Sequence, residues 1–254
     1  MSIASAITYK IPKRRHPAVQ FMLHQPLGAA GLLFIVVMAF AAVFAPWVTP
    51  YDPLAVDYGG MLAAPSWEHW MGTDAYGRDM LTRIIYGART ALAVGFLASF
   101  LGSSIGAVIG VISAYYGGKI DLAIQGIMDI LLSFPIIVLA LVVVAMLGQK
   151  IVLGVDVNLI VAIGIPMVPR VARVVRASAL AIRELPYIDA ARAAGFSDAR
   201  IIFRHMVPNV VAPYLIMLTA YVAQAILSEA SLSFLGLGVT EPTASWGLML
   251  SGSA

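Results

Sequence analysis

Charged positions fall into a few clusters along this chain, and the stretches between them are long and apolar. No Lys, Arg, Asp or Glu occurs between Arg15 and Asp52, and the most apolar part of that run extends from Leu27 to Trp47. Thr90 to Gly118, Ile130 to Gln149 and Met206 to Ser228 are three more charge-free runs. A bilayer core of about 30 Å is crossed by about 20 helical residues, so each of these runs is long enough to span it. A fifth run, Val157 to Pro169, is too short alone and continues through Val171, Ala172, Val174 and Val175, with Arg170, Arg173 and Arg176 snorkelling to a surface. The pattern predicts an all-α, polytopic transmembrane helix bundle of five complete spans. Pro242 to Ala254 is again uncharged, is about half a span long, and reads as the start of a truncated sixth span or a re-entrant piece.

Ala39-Phe40-Ala41 has the small-x-small form of a signal-peptide cleavage site, but the apolar stretch exceeds a signal core and continues through Ala42, Val43 and Phe44, which favours an anchor. Basic residues orient the bundle, because those flanking spans stay in the cytoplasm. With the N-terminus inside, Lys10, Lys13, Arg14, Arg15, Lys119, Arg170, Arg173, Arg176, Arg183, Arg192, Arg200 and Arg204 are cytoplasmic. Only Arg78, Arg83, Arg89 and Lys150 then lie outside. This gives a cytoplasmic tail (1–25), a first transmembrane helix (26–48), an extracytoplasmic loop (49–88) and a transmembrane domain (89–254) containing a cytoplasmic loop at 183–208.

Composition agrees with that class. Of 254 residues, 61% are hydrophobic and 11% charged, which excludes an ordinary soluble globule, a disordered chain and a basic nucleic-acid surface. The absence of cysteine removes disulfide, thiolate-metal and cysteine-nucleophile chemistry. Gly118-Lys119 lacks the rest of a phosphate-binding loop, and neither HExxH nor GxSxG occurs, so no catalytic residue and no metal ligand is assigned.

Three features remain. The outer loop closes with Gly72, Thr73, Asp74, Gly77, Arg78, Asp79 and Arg83, where the glycines suit tight turns and Asp79 and Arg83 are spaced for an i,i+4 ion pair. Gly102, Gly106 and Gly110 form a ladder that lets another helix approach closely, in this chain or in a partner. Asp129, followed by Ser133 and Pro135, and Glu229 are polar groups in or beside spans, read either as pathway residues or as buried structural groups, the latter favoured for Asp129.

The cytoplasmic loop carries more information. Pro186 suits a first helical turn, the alanines to Ala194 favour helix, Gly195 can end it in a left-handed conformation, and Ser197 can cap the next helix. The result is a thin helix-turn-helix ahead of Pro208, fit for a groove on a partner. An amphipathic linker lying on the membrane has the same composition.

At this loop the sequence resembles the EAA loop of ABC importer permeases. Asp189-Ala190-Ala191, Gly195 and Pro208 match its spacing, with Asp189 shortened by one methylene, Val207 for Leu and His205 for Ile. Gly72-Thr73-Asp74, Gly77-Arg78-Asp79, Tyr115-Tyr116-Gly117-Gly118, Phe134-Pro135, and Ser231 to Gly238 leading to Trp246-Gly247, are similar to the dipeptide and oligopeptide importers, in particular their second permease subunit. The resemblance extends from about residue 27 to 250.

The resemblance implies a bacterial inner-membrane importer of the binding-protein-dependent type. Its partners are a homologous second permease, two ATPase subunits and an extracytoplasmic binding protein. It implies no cofactor on this chain, with ATP and Mg used by the ATPases, and a coupling role for Asp189, Ala190, Ala191, Ala194, Gly195 and Pro208. Cargo is expected to be a dipeptide or oligopeptide, or in a close relative nickel, glutathione or another small solute. The competing class is an ATP-independent secondary transporter or channel subunit.

Overall fold

The computed structural model describes residues 22–152 and 154–251, so the predicted cytoplasmic tail with Lys10, Lys13, Arg14 and Arg15 lies outside the described residues. The first span is α1, Pro26–Val43, with its proline in the first turn, where a missing N–H costs nothing. Only Ala42 of this helix is buried, which leaves a nearly complete apolar cylinder for lipid or a partner. A short helix α2, Ala45–Val48, turns the chain into the outer loop.

The central element is α3, Met80–Tyr116, with 37 residues and a length of about 55 Å. Asp79 caps it by accepting the Thr82 N–H at 2.8 Å, and Gly117, at φ +64°, ends it. The predicted third span is broken rather than straight. Helix α4, Gly118–Leu132, and helix α5, Ile136–Leu147, meet at an angle of 93°. Pro135 lacks an N–H and clashes with a continuing helix, and Ser133 ends α4 by donating to the Ile130 carbonyl at 2.6 Å.

A two-stranded hairpin, β1 (Ile151–Val152) with β2 (Val155–Asp156), follows. Helix α6, Val157–Gly164, a 3-10 turn at Ile165–Met167 and helix α7, Val168–Arg183, make the fourth span. The segment predicted to be cytoplasmic contains α8, Pro186–Ala193, and α9, Asp198–Ile201. A π-helical turn at Ile202–Met206 joins α9 to α10, Val207–Phe234. The helical body thus begins ten residues before Pro208, and no break separates the loop from the fifth span. Last is α11, Trp246–Leu250.

The core forms where α3 meets α7 and α10. A Cβ at Gly102 would lie 2.5 Å from the Gly164 carbonyl oxygen, one at Gly106 2.6 Å from that of Val168, and one at Gly110 2.5 Å from that of Ala172. The ladder therefore seats α6 and α7 of the same chain, backbone against backbone, as small residues permit in lipid. Toward α10, Ser99 Oγ donates to the Leu218 carbonyl at 2.7 Å, and Ser104 and Tyr214 share a hydrogen bond of 3.0 Å. These contacts hold α10 antiparallel to α3. As a result, the 49–79 loop, the hairpin and residues 235–251 share one end of the bundle, and the α3–α4 junction and the α8–α9 loop share the other.

Candidate functional site

At the second end, Leu185 enters α8 with extended backbone and Pro186 starts it. Ile188 and Ala191 are buried against the bundle, whereas Asp189, Ala190, Ala193 and Ala194 face outward. Asp189 sits in the first turn, where a carboxylate complements the helix N-terminus, and pairs with Arg192 at 3.0 Å. The helix closes as a Schellman motif: Gly195, at φ +76°, donates to the Arg192 carbonyl at 2.9 Å and Phe196 donates to that of Ala191 at 3.1 Å. Ser197 then caps α9 by accepting the Arg200 N–H.

The turn is stiffened from both sides. His205 stacks on Phe196 with ring centroids 6.1 Å apart and leans toward Tyr187, so it fills the place that Ile holds in the EAA pattern by ring packing. Pro208 is exposed on the first turn of α10. The Tyr115 hydroxyl donates to Asp198 at 2.6 Å, and Arg183 donates to the Ala114 carbonyl at 2.9 Å. Arg176 is held by Asp121 through Nε at 2.6 Å and a second bond from its Nη2, and Asp121 also accepts from Ser113. The loop is thus tied to the end of α3, and α7 to the ends of α3 and α4.

At the other end, the motif residues form a folded plug rather than a helix with an Asp79–Arg83 pair. Asp79 accepts from Thr82 and lies 2.9 Å from His69 Nδ1. Arg83, with no solvent exposure, turns instead to Asp74 at 3.5 Å and Glu241 at 3.6 Å. The i,i+4 expectation fails because Asp79 is spent on the helix start. Asp74 accepts the Tyr76 and Arg78 N–H groups and the Arg78 Nε at 2.5 Å. Arg78 also reaches Glu241 at 2.9 Å; burial works against its charge, but the Glu241 and Asp74 carboxylates outweigh this and raise its pKa. Thr73 Oγ accepts the Ala63 N–H at 2.8 Å and donates to the Gly60 carbonyl. Gly72 and Gly77 both have φ +73°, and a Cβ on either would strike the Ala63 or Asp57 carbonyl.

The remaining polar residues separate. Glu229 is fully buried and accepts from Ser233 at 2.8 Å and Ser245 at 2.9 Å, fixing α11 to α10. Asp129 has an arginine partner, Arg173, but it is 60% exposed, contrary to a buried acid. Ser133 is exposed and serves the bend.

Residues 106–254 match the family described as the binding-protein-dependent transport system inner membrane component, and residues 18–65 match the N-terminal TM domain of oligopeptide transport permease C. The chain belongs to this permease family. A peptide transport system permease protein of Brucella suis biovar 1 is 44% identical over 87% of this chain and 73% of its own length. The dipeptide transport system permease protein DppC of Alkalihalophilus pseudofirmus is 43% identical over 89% of this chain and 73% of its own. A solved structure of the MetNI methionine ABC transporter in an inward-facing conformation shares the fold, with a TM-score of 0.53 and 23% identity over 63% of this chain and 77% of that one.

The permease is a multi-pass membrane protein with, among the described residues, four apolar helical runs of spanning length, or five with the bent pair counted as one. Membership also implies an ATPase and a substrate-binding protein as partners. Sequence reasoning missed Glu241, Tyr115 as a fastener of the loop, and Asp121 as the partner of Arg176. Arg78 and Glu241 lie 163 positions apart, and no local spacing signals such a pair.

Proposed function

We propose that this permease moves dipeptides or oligopeptides into the cytoplasm as one of two homologous permease chains, driven by two ATPase subunits and supplied by an extracytoplasmic binding protein. The N-terminus is cytoplasmic, the plug faces the binding protein, and the complex sits in a bacterial inner membrane. The cargo reading is supported by the oligopeptide-permease match and by the peptide names of the relatives. This chain binds no cofactor; ATP and Mg belong to the ATPases.

The observation that carries the coupling role is the geometry of α8, a Schellman-closed helix with Asp189, Ala190, Ala193 and Ala194 outward and Ile188 inward, tied to α3 through Tyr115 and Asp198. The alanines let it enter a cleft on an ATPase subunit. Closure of the ATPase pair around ATP then pushes α8, and because the loop is tied to α3 and α7 in turn to α3 and α4, the push moves these spans as a body from inward-open to outward-open. ATP acts here only by favouring one of two bundle states.

The test is purification of the tagged permease from native membranes in mild detergent, with mass spectrometry of what accompanies it, for wild type and Gly195→Arg. Wild type is expected to bring a second permease and an ATPase, with the ATPase lost in the variant. Recovery of the intact wild-type chain alone overturns the reading and revives an ATP-independent carrier.

A further inference from the structure

The fourth span places arginine deeper in the bundle than its sequence suggests. The helical run Val157–Arg183 has 27 residues, and Arg170 is equally distant from both ends, about 20 Å from each. Arg173 is about 15 Å from the cytoplasmic end, and its partner Asp129 is about 16 Å along α4 from Gly118. The packing of α3 supports this depth, since Gly106, level with Val168 and Ala172, lies ten residues before Tyr116. Only Arg176, held by Asp121, stays near the cytoplasmic end, so Arg170 and Arg173 do not form the cytoplasmic cluster expected of them.

All three deep charges face out of the chain. Arg170, Arg173, Val174 and Ala177 form the exposed stripe of α7, while Val168, Val171, Ala172 and Val175 are buried. Arg173 is 46% exposed and Asp129 60%. Ionised groups at this depth are too costly to face hydrocarbon and are found against water-filled cavities or protein. Among the described residues, Arg173 and Asp129 compensate one another, and no carboxylate pairs with Arg170. The ledge therefore carries one uncompensated positive charge at mid-depth, on a guanidinium suited to gripping a carboxylate with two parallel hydrogen bonds.

Resting on the peptide-importer reading, we infer that Arg170, flanked by the Asp129–Arg173 pair, lines the translocation pathway and receives the carboxylate of the passing peptide. The chain has no cysteine, so one introduced thiol reports alone on this subunit. Arg170→Cys and Leu33→Cys, the latter on the exposed face of α1, are compared in complexes that co-purify every subunit, using an anionic methanethiosulfonate and reading the label on this chain by mass. Arg170→Cys is expected to react about tenfold faster than Leu33→Cys, because water reaches only the former. Addition of a dipeptide with binding protein and ATP is expected to slow the reaction severalfold. A rate no faster than that of Leu33→Cys overturns the pathway assignment, and a fast rate that the dipeptide leaves unchanged overturns the cargo contact. If Arg170→Cys does not assemble, Arg173→Cys and Asp129→Cys on the same face carry the same comparison. A wild-type chain that brings no ATPase fails the importer reading instead, before any labelling is done.

Discussion

Tyr115 and Asp198, 83 positions apart, are joined by a 2.6 Å hydrogen bond that fastens the C-terminal end of the second span to the start of α9. Arg192 of α8 lies over the same tyrosine ring, 5.7 Å from its centroid. One side chain therefore touches both α8 and α9, and its hydroxyl is the only part lost in Tyr115→Phe.

Tyr115→Phe is expected to leave the complex assembled but loosen the loop by about 1 kcal/mol, the usual net contribution of such a bond. Peptide moved per ATP hydrolysed should fall in proteoliposomes, with ATPase activity less affected. An unchanged ratio would show that the loop transmits force through other contacts.

Gly195 separates strain from bulk. Nothing lies within 4 Å of a Cβ placed there, so within this chain the penalty of any side chain comes from φ +76° and amounts to about 1–2 kcal/mol. Gly195→Asn, which tolerates that conformation, should retain transport best, and Gly195→Ala should lose part of it. Gly195→Arg should lose most, because it adds bulk on the face proposed to meet the ATPase. Equal transport by the Ala and Arg variants would place the whole effect in the turn.

Two helical glycines should respond with opposite sign. Gly106→Ala puts a Cβ 2.6 Å from the Val168 carbonyl and forces α7 off α3, an overpacking expected to cost about 1–3 kcal/mol. Gly126→Ala in α4 meets nothing within 4 Å and should gain up to about 1 kcal/mol from helix propensity. Thermal unfolding of the purified chain in detergent should lower the midpoint for the first and raise it for the second.

In the outer plug, Asp74 and Glu241 receive the same two arginines, but Asp74 is fully buried and Glu241 is 35% exposed. Asp74→Asn leaves Arg78 and Arg83 under-compensated in a dry site and should cost about 3–5 kcal/mol. Glu241→Gln, partly screened by water, should cost about 1 kcal/mol or less. Equal shifts of the unfolding midpoint would mean that burial does not set the strength of this network.

The sequence by itself determined the class of the molecule, the α8 turn and the close approach at the glycine ladder. Those follow from local quantities: run length against membrane thickness, proline and alanine at a helix start, a glycine where φ must be positive, the absence of a side chain. Even Ser197 as a cap and Gly195 as a terminator could be read in order along the chain, because both act within a few residues of themselves. Only the tertiary structure decided that Arg83 turns to Asp74 and Glu241 rather than Asp79, that the ladder seats α6 and α7 of the same chain, that Pro135 bends its span by 93°, and that Arg170 is exposed at the middle of its helical run. Each of these depends on which distant segment returns to which face. A charge chooses its partner by distance and burial, and both exist only after the helices have packed.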